Sequence, residues 1–354
     1  MPDVRSLEPP PPHRLSRPVT KGTADVSTLT RRALLGGAAL LAAGASPGNR
    51  PLRAATLDRT VRFVLGFPPG GASDIVCRLL AERLAGSFAP QVVVENRPGA
   101  AARLAIEAVR SAPPDGATLL FSPESMFGIY PHIYRRTLRY TAEDFAAVSG
   151  VTEFGFGFAV AAGHPARTWP EFVAWAKQQS EPIPYASPAA GSTPHFWAEQ
   201  CARANGIRLS HVAYRGMPAA YPDLYAGRLM AGVTVFGDLV EQQRGGHLRI
   251  LAVSMSERSP KAPEVPAMRE FGHPALIATE QFGVLAPAGT PAAIIDALHA
   301  AIVAALARPD LREALGRMEQ NSLGSPPAVF AARIRGERER WGPIVAATGY
   351  TVEE

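Results

Sequence analysis

The stretch Phe67-Pro68-Pro69-Gly70-Gly71-Ala72-Ser73-Asp74-Ile75-Val76 constrains this chain more than any other. The apolar run 61–67 reads as a buried strand, and Pro-Pro-Gly-Gly breaks it. A helix then opens at Ser73-Asp74, with Val76, Leu80 and Leu84 on one face. A strand, a glycine turn and a helix start make an anion site, because unpaired backbone N–H groups point outward and the helix dipole favours negative charge. Glycine lets a ligand come close to the backbone, since no Cβ stands in the way. The spacing is neither G-x-G-x-x-G nor G-x-x-x-x-G-K-[ST], so dinucleotide and P-loop readings fail.

The rhythm then repeats. Strands predicted at 91–95 and 117–122 and a helix at 101–111 complete a βαβαβ unit, which argues for a parallel sheet covered by helices. Ligands of such sheets bind beyond the carboxyl ends of the strands. The loops 67–74 and Ser122-Pro123-Glu124-Ser125 both lie there.

After an extended segment rich in glycine and phenylalanine at 148–160, a second αβ series begins. A helix at 171–179 leads to a strand at 183–186 and then to Ser187-Pro188-Ala189-Ala190-Gly191-Ser192-Thr193-Pro194, where Thr193 caps a helix with Pro194 at its first position. A strand at 209–213, a helix at 217–225 and a strand at 230–236 ending at Gly237-Asp238 follow. Strands at 248–254 and 281–286 precede helices at 292–307, from Pro309, and at 328–347, with Gly349 as a C-cap. Each half therefore offers one small-residue helix mouth. Two α/β lobes facing across a cleft would bring the mouths together.

Thr30-Arg31-Arg32-Ala33-Leu34-Leu35, an apolar run to Leu41 and Ala43-Gly44-Ala45 have the form of a twin-arginine (Tat) export signal, placed at 1–45 with a linker at 46–57. The apolar run is too short for a membrane span. The whole chain of 354 residues carries +5; without the six basic and three acidic residues of 1–45 the net charge is +2. No run of basic residues interleaved with aromatics occurs, so nucleic acid is not an expected partner. Cys77 and Cys201 fall in helices of different halves and read as two buried thiols.

Catalytic signatures are missing. There is no G-x-S-x-G elbow, no H-E-x-x-H and no C-x-x-C, and the histidines lack metal spacing. His195 lies close in sequence to Ser192, as a nucleophile–base pair would, but at a helix start this spacing reads as capping and packing.

The motifs resemble the Bug family of periplasmic solute-binding proteins, the receptors of tripartite tricarboxylate transporters. Seven carry the resemblance in order across 61–348: Phe67-Pro68-Pro69-Gly70-Gly71 with Asp74, Val94-Glu95-Asn96-Arg97-Pro98-Gly99, Pro114-Asp115-Gly116, Ala190-Gly191-Ser192 with His195, His211-Val212-Ala213-Tyr214-Arg215-Gly216, Leu248-Arg249-Ile250-Leu251-Ala252-Val253, and Ala286-Pro287-Ala288-Gly289-Thr290-Pro291.

The resemblance implies an α/β, two-lobed periplasmic-binding-protein (Venus flytrap) fold, type II-like, with a cleft between lobe 1 (58–157 and 283–354) and lobe 2 (158–282). It also implies a monomeric periplasmic receptor, without cofactor, that captures a small organic acid, amino acid or amide for the membrane subunits of a transporter. A carboxylate would be held by backbone N–H groups and waters. The implied contacts are Phe67, Gly70, Gly71, Ala72, Ser73 and Asp74 on one side. Opposite stand Ser187, Ala190, Gly191, Ser192 and Thr193, with Ser122, Ser125 and Asp238 at neighbouring strand ends.

Three acids sit oddly there. Asp74 reads either as a first-turn acid complementing the helix dipole or as a ligand contact. Glu124, beside Pro123, stands where the family usually offers small and hydroxyl residues, and Gly237-Asp238 replaces the family's Asp-Asn. Acids facing the cleft would suit a ligand bearing an amine or amide besides its carboxylate; acids facing outward would leave the ligand class open. An alternative keeps the binding but couples it to a membrane signalling system.

Overall fold

The structure, a computed structural model, describes residues 56–352. The expected export signal, and all but the last two residues of the expected linker, lie outside the described residues.

The first half begins as expected. Strand β1 (Val61–Leu65) leads through the glycine turn into helix α1 (Ala72–Leu84), then β2 (Val92–Asn96), α2 (Arg103–Arg110) and β3 (Thr118–Pro123). β1 pairs in parallel with β2 on one side and β3 on the other. Helix α1 buries Val76, Cys77, Leu80 and Leu84 against this sheet, each large apolar side chain contributing roughly 1.5–3 kcal/mol. Two short helices follow, α3 (Ser125–Gly128) and α4 (Tyr130–Ile133). Neither is signalled by the sequence, because four-residue helices show no 3.6-residue period.

The extended segment at 148–160 is the middle of one long strand, β4 (Phe145–Ala161). Its first part, to Gly155, pairs antiparallel with a later strand of the first sheet; from Phe156 onward it pairs with strands of the second. That second sheet is built from α5 (Trp169–Ala176), β5 (Ile183–Ser187), α6 (Thr193–Asn205), β6 (Leu209–Ala213), α7 (Met217–Tyr225), β7 (Ala231–Val235), α8 (Phe236–Arg244) and β8 (Leu248–Val253). β5 is parallel to β6 and β7, while β7 and β8 both run antiparallel to β4.

The chain returns in β9 (Thr279–Pro287), antiparallel to β3 and β4. It closes with α9 (Ala292–Leu306), α10 (Pro309–Arg317), β10 (Asn321–Ser325) and α11 (Pro327–Thr348), which ends at Gly349 in a left-handed cap. Two α/β lobes thus share β4, and the sheets are mixed rather than purely parallel. α8 is a correction: the sequence reading stopped at Gly237-Asp238, whereas the helix starts there. Gly237 is needed for approach rather than for a turn, since a Cβ on it would lie 1.8 Å from the Met318 carbonyl oxygen.

Both cysteines are buried and free, on α1 and α6. Among the described residues no single helix is long and apolar enough to cross a membrane.

Candidate functional site

The glycine turn before α1 is held from behind by Asp74. Its carboxylate, 3 % exposed, accepts from the Gly70 N–H at 3.1 Å, from Asn96 Nδ2 at 2.8 Å and from Arg78 Nε at 3.0 and 3.1 Å. Asn96 also donates to the Phe67 carbonyl at 2.9 Å. Burial alone would raise the Asp74 carboxyl; the bonds from Arg78, Asn96 and Gly70 outweigh it and hold it below its usual value. Asp74 is a clasp that shapes the loop, and it does not line the cavity in front of it.

The opposite loop is locked in the same way. Ser187 Oγ bonds the Ala189 carbonyl at 3.1 Å and His211 Nε2 at 2.8 Å, Ser192 Oγ donates to the Ala189 carbonyl at 2.7 Å, and the Gly191 N–H donates to His195 Nδ1 at 2.8 Å. Gly191 has φ +78°, and a Cβ there would meet Ile133 Cδ1 at 2.1 Å. The rings of His195 and His211 stack at 4.1 Å. Burial lowers them to about 3 and about 4, with His211 adding to the shift of His195, so both are neutral near pH 7. Ser192 and His195 are each engaged elsewhere, which leaves no nucleophile–base hydrogen bond between them.

Between these loops lies a cavity that opens to solvent at its mouth. Four helices of eight or more residues present their N-terminal ends to it: α1 through Gly71, Ala72 and Ser73, α6 through Ser192 and Pro194, α7 through Gly216, Met217 and Pro218, and α8 through Val235 and Asp238. First-turn N–H groups have no intrahelical acceptor, so the four ends make the cavity a field of positive partial charge.

Its apolar wall is formed by Phe154, Phe156 and Phe282, with Met126 and Met217. Phe154 and Phe282 touch at a 4.3 Å centroid distance. Among the described residues no Arg, Lys or His lines it.

Two carboxylates do. Asp238, in the first turn of α8, is partly open to the cavity and otherwise enclosed. Burial pushes it up to about 7, with the Ala72 N–H pulling against that shift. Glu280, 3 % exposed, accepts from the Ser125 N–H at 3.1 Å. Burial pushes it also up to about 7 against the pull of Ser125 and the Thr193 hydroxyl, while Glu337 adds to the rise. Glu124 is also pushed up by burial, to about 8 against the pull of Arg333, which grips it in a fork at 2.8–3.1 Å; it stays off the lining. Thr234 belongs to the lining at 1 % residue exposure, and its Oγ1 is buried without a hydrogen-bond partner. Among the described residues no group of three or more potential metal ligands occurs.

Residues 76–350 match the family described as the tripartite tricarboxylate transporter family receptor. The chain belongs to this family. A relative from Pseudomonas sp. (strain P51), the UPF0065 protein in the tcbD-tcbE intergenic region, is 32 % identical over 326 residues, 91 % of this chain and 95 % of the relative. The solved structure of the periplasmic binding protein BugD superposes with a TM-score of 0.79 at 25 % identity, covering 84 % of this chain and all of BugD. MatC from Rhodopseudomonas palustris, with bound malate, superposes with a TM-score of 0.76 at 28 % identity, covering 81 % and 99 %.

The Bug-type resemblance and the two-lobed periplasmic-binding fold therefore hold, and this receptor is a solute-binding protein of a carboxylate transport system. Its family and structural neighbours are binding proteins rather than enzymes, and the family points to a periplasmic location.

Of the residues singled out from the sequence, Phe67, Gly71, Ala72, Ser73, Ser125, Ser192 and Asp238 meet at the cavity. Gly70, Asp74, Ser122, Ser187, Ala190, Gly191 and Thr193 stand outside its lining, mostly as supports; Ser122 Oγ, for instance, bonds the Pro123 carbonyl at 3.0 Å. Sequence reasoning missed Glu280, the phenylalanine wall, Thr234 and the α7 end. Only the last had a signal, Gly216 followed by Pro218 early in a helix.

Proposed function

We propose that this receptor binds one small carboxylate, an organic acid, amino acid or amide, between the loops Phe67–Asp74 and Ser187–Thr193 and delivers it to the membrane subunits of a tripartite tricarboxylate-type transporter. The observation that carries this reading is the convergence of four helix N-termini on one cavity free of basic side chains. Preorganised neutral donors bind an anion well when water is excluded, each hydrogen bond to a charged group contributing roughly 1.5–3 kcal/mol. Malate in the related MatC supports the ligand class.

In this reading Gly71, Ala72, Ser73, Ser125 and Ser192 face the ligand, and Gly70, Asp74, Ser122, Ser187, Ala190, Gly191 and Thr193 hold the loops in place. The lobes are 58–157 with 283–354 against 158–282; the change of sheet at Gly155–Phe156 and the start of β9 at Thr279 support hinges near these limits. The receptor acts as a monomer, without catalysis, after export by a Tat-type signal. A thermal-shift screen of organic acids, amino acids and amides, followed by calorimetry, tests the reading: one class of carboxylate should stabilise the protein with one site per chain. A protein stabilised by no carboxylate would contradict it.

A further inference from the structure

The cavity asks for more than an anion. Carboxylates at a positively polarised cleft are a departure from what anion capture needs, and here two come from separate elements: Asp238 from the first turn of α8 and Glu280 from the start of β9, a strand of the first sheet. An ionised carboxylate only accepts hydrogen bonds. Among the described residues Asp238 is bonded by the Ala72 N–H, and Glu280 spends its bonds on Ser125 and Thr193 while still lining the space. The other acids nearby are accounted for, Glu124 by Arg333 and Glu337 by Arg340 and Trp341 Nε1. Thr234, on the lining, adds a buried Oγ1 without a hydrogen-bond partner beside this space.

Resting on the carboxylate-receptor reading above, we infer that the ligand is a nitrogen-bearing carboxylic acid: its carboxylate lies at the helix N-termini, and an N–H donor group, ammonium or carboxamide, lies against Asp238 and Glu280. A dicarboxylate would bring a third acid against these two in a space with no Arg, Lys or His to offset it. An N–H donor supplies what both acids lack, and the phenylalanine wall accepts the carbon skeleton between the two ends. The raised carboxyls agree with this: burial works against their charge, and a cation between them would restore it.

The test uses the full chain at pH 8 and two matched sets: glutarate, glutaramate and 5-aminopentanoate, and terephthalate, 4-carbamoylbenzoate and 4-(aminomethyl)benzoate. Within at least one set the nitrogen-bearing members should bind at least ten-fold tighter than the diacid, about 1.4 kcal/mol. The preference between amine and amide tells which donor is taken. A diacid that binds as tightly or tighter overturns the inference and leaves the carboxylate reading standing; no binding by any member also overturns the inference, while the carboxylate reading is decided by the wider screen above. In the double variant Asp238→Asn, Glu280→Gln the new amides can donate, so the ratio should shift at least ten-fold toward the diacid. An unchanged ratio in a folded variant contradicts the assignment, and if that variant does not fold, the selectivity of the unaltered protein decides alone.

Discussion

Asp74 shows how a residue's surroundings overrule its reputation. Read in sequence, an acid in the first turn of a helix either complements the dipole or touches ligand; in the structure it ties the Gly70 N–H, Asn96 and Arg78 into one knot behind the loop. Asp74→Asn should cost about 1–2 kcal/mol at pH 7, since Arg78 is half exposed and solvent screens part of the pair. Its folded carboxyl is held below the ordinary value, so the contribution is present above about pH 4 and fades as pH falls; urea melts at pH 7 and pH 3 check both size and sign.

Asp238 has the opposite sign. Its carboxyl rises from 3.8 unfolded to about 7 folded, so the stability linked to its protonated form is complete below about pH 4 and lost as pH climbs through 7. The ligand-free Asp238→Asn variant should therefore gain on the parent between pH 5 and pH 8 by about 1–3 kcal/mol. The comparison with the parent cancels His195 and His211, whose lowered values act the other way. A difference that stays flat with pH would contradict the burial of Asp238.

At the scale of elements, long periodic pieces were legible and short or contradictory ones were not. β1, α1, β5, β6, α7 and α9 follow from apolar period, glycine and proline punctuation, and caps. α8 was hidden by Gly237, which reads as a stop but permits close packing on Met318. Ser192, not Thr193, is the N-cap residue of α6, because Thr193 already has helical geometry. Glu280 could not be found by pattern: one acid at the start of an apolar strand has no periodic signature, and only the pairing of β9 with β3 and β4 carries it to the cleft. The locked turn before α6 gives a test of its own. Gly191→Ala places a Cβ at positive φ against Ile133, and should destabilise the protein by about 1–3 kcal/mol and weaken ligand binding with it. A variant as stable as the parent in urea would show that the turn has another conformation.

For the molecule as a whole, the family resemblance supplied the two-lobed plan, and the structure adds how the lobes are joined, through one strand that serves both sheets. Cys77 and Cys201 should remain thiols that react with a maleimide only after unfolding; mass mapping that found them linked would contradict the placement of α1 and α6. Where the ligand sits is tested most directly by Gly71→Val. Gly71 has φ −88°, and a Cβ there meets nothing within 4 Å, so valine is compatible with the fold while its branches enter the cavity. Calorimetry with the acid that best stabilises the parent should show binding lost in the variant, with circular dichroism and the ligand-free melting temperature unchanged. Unchanged affinity in the folded variant would place the ligand elsewhere and contradict the account.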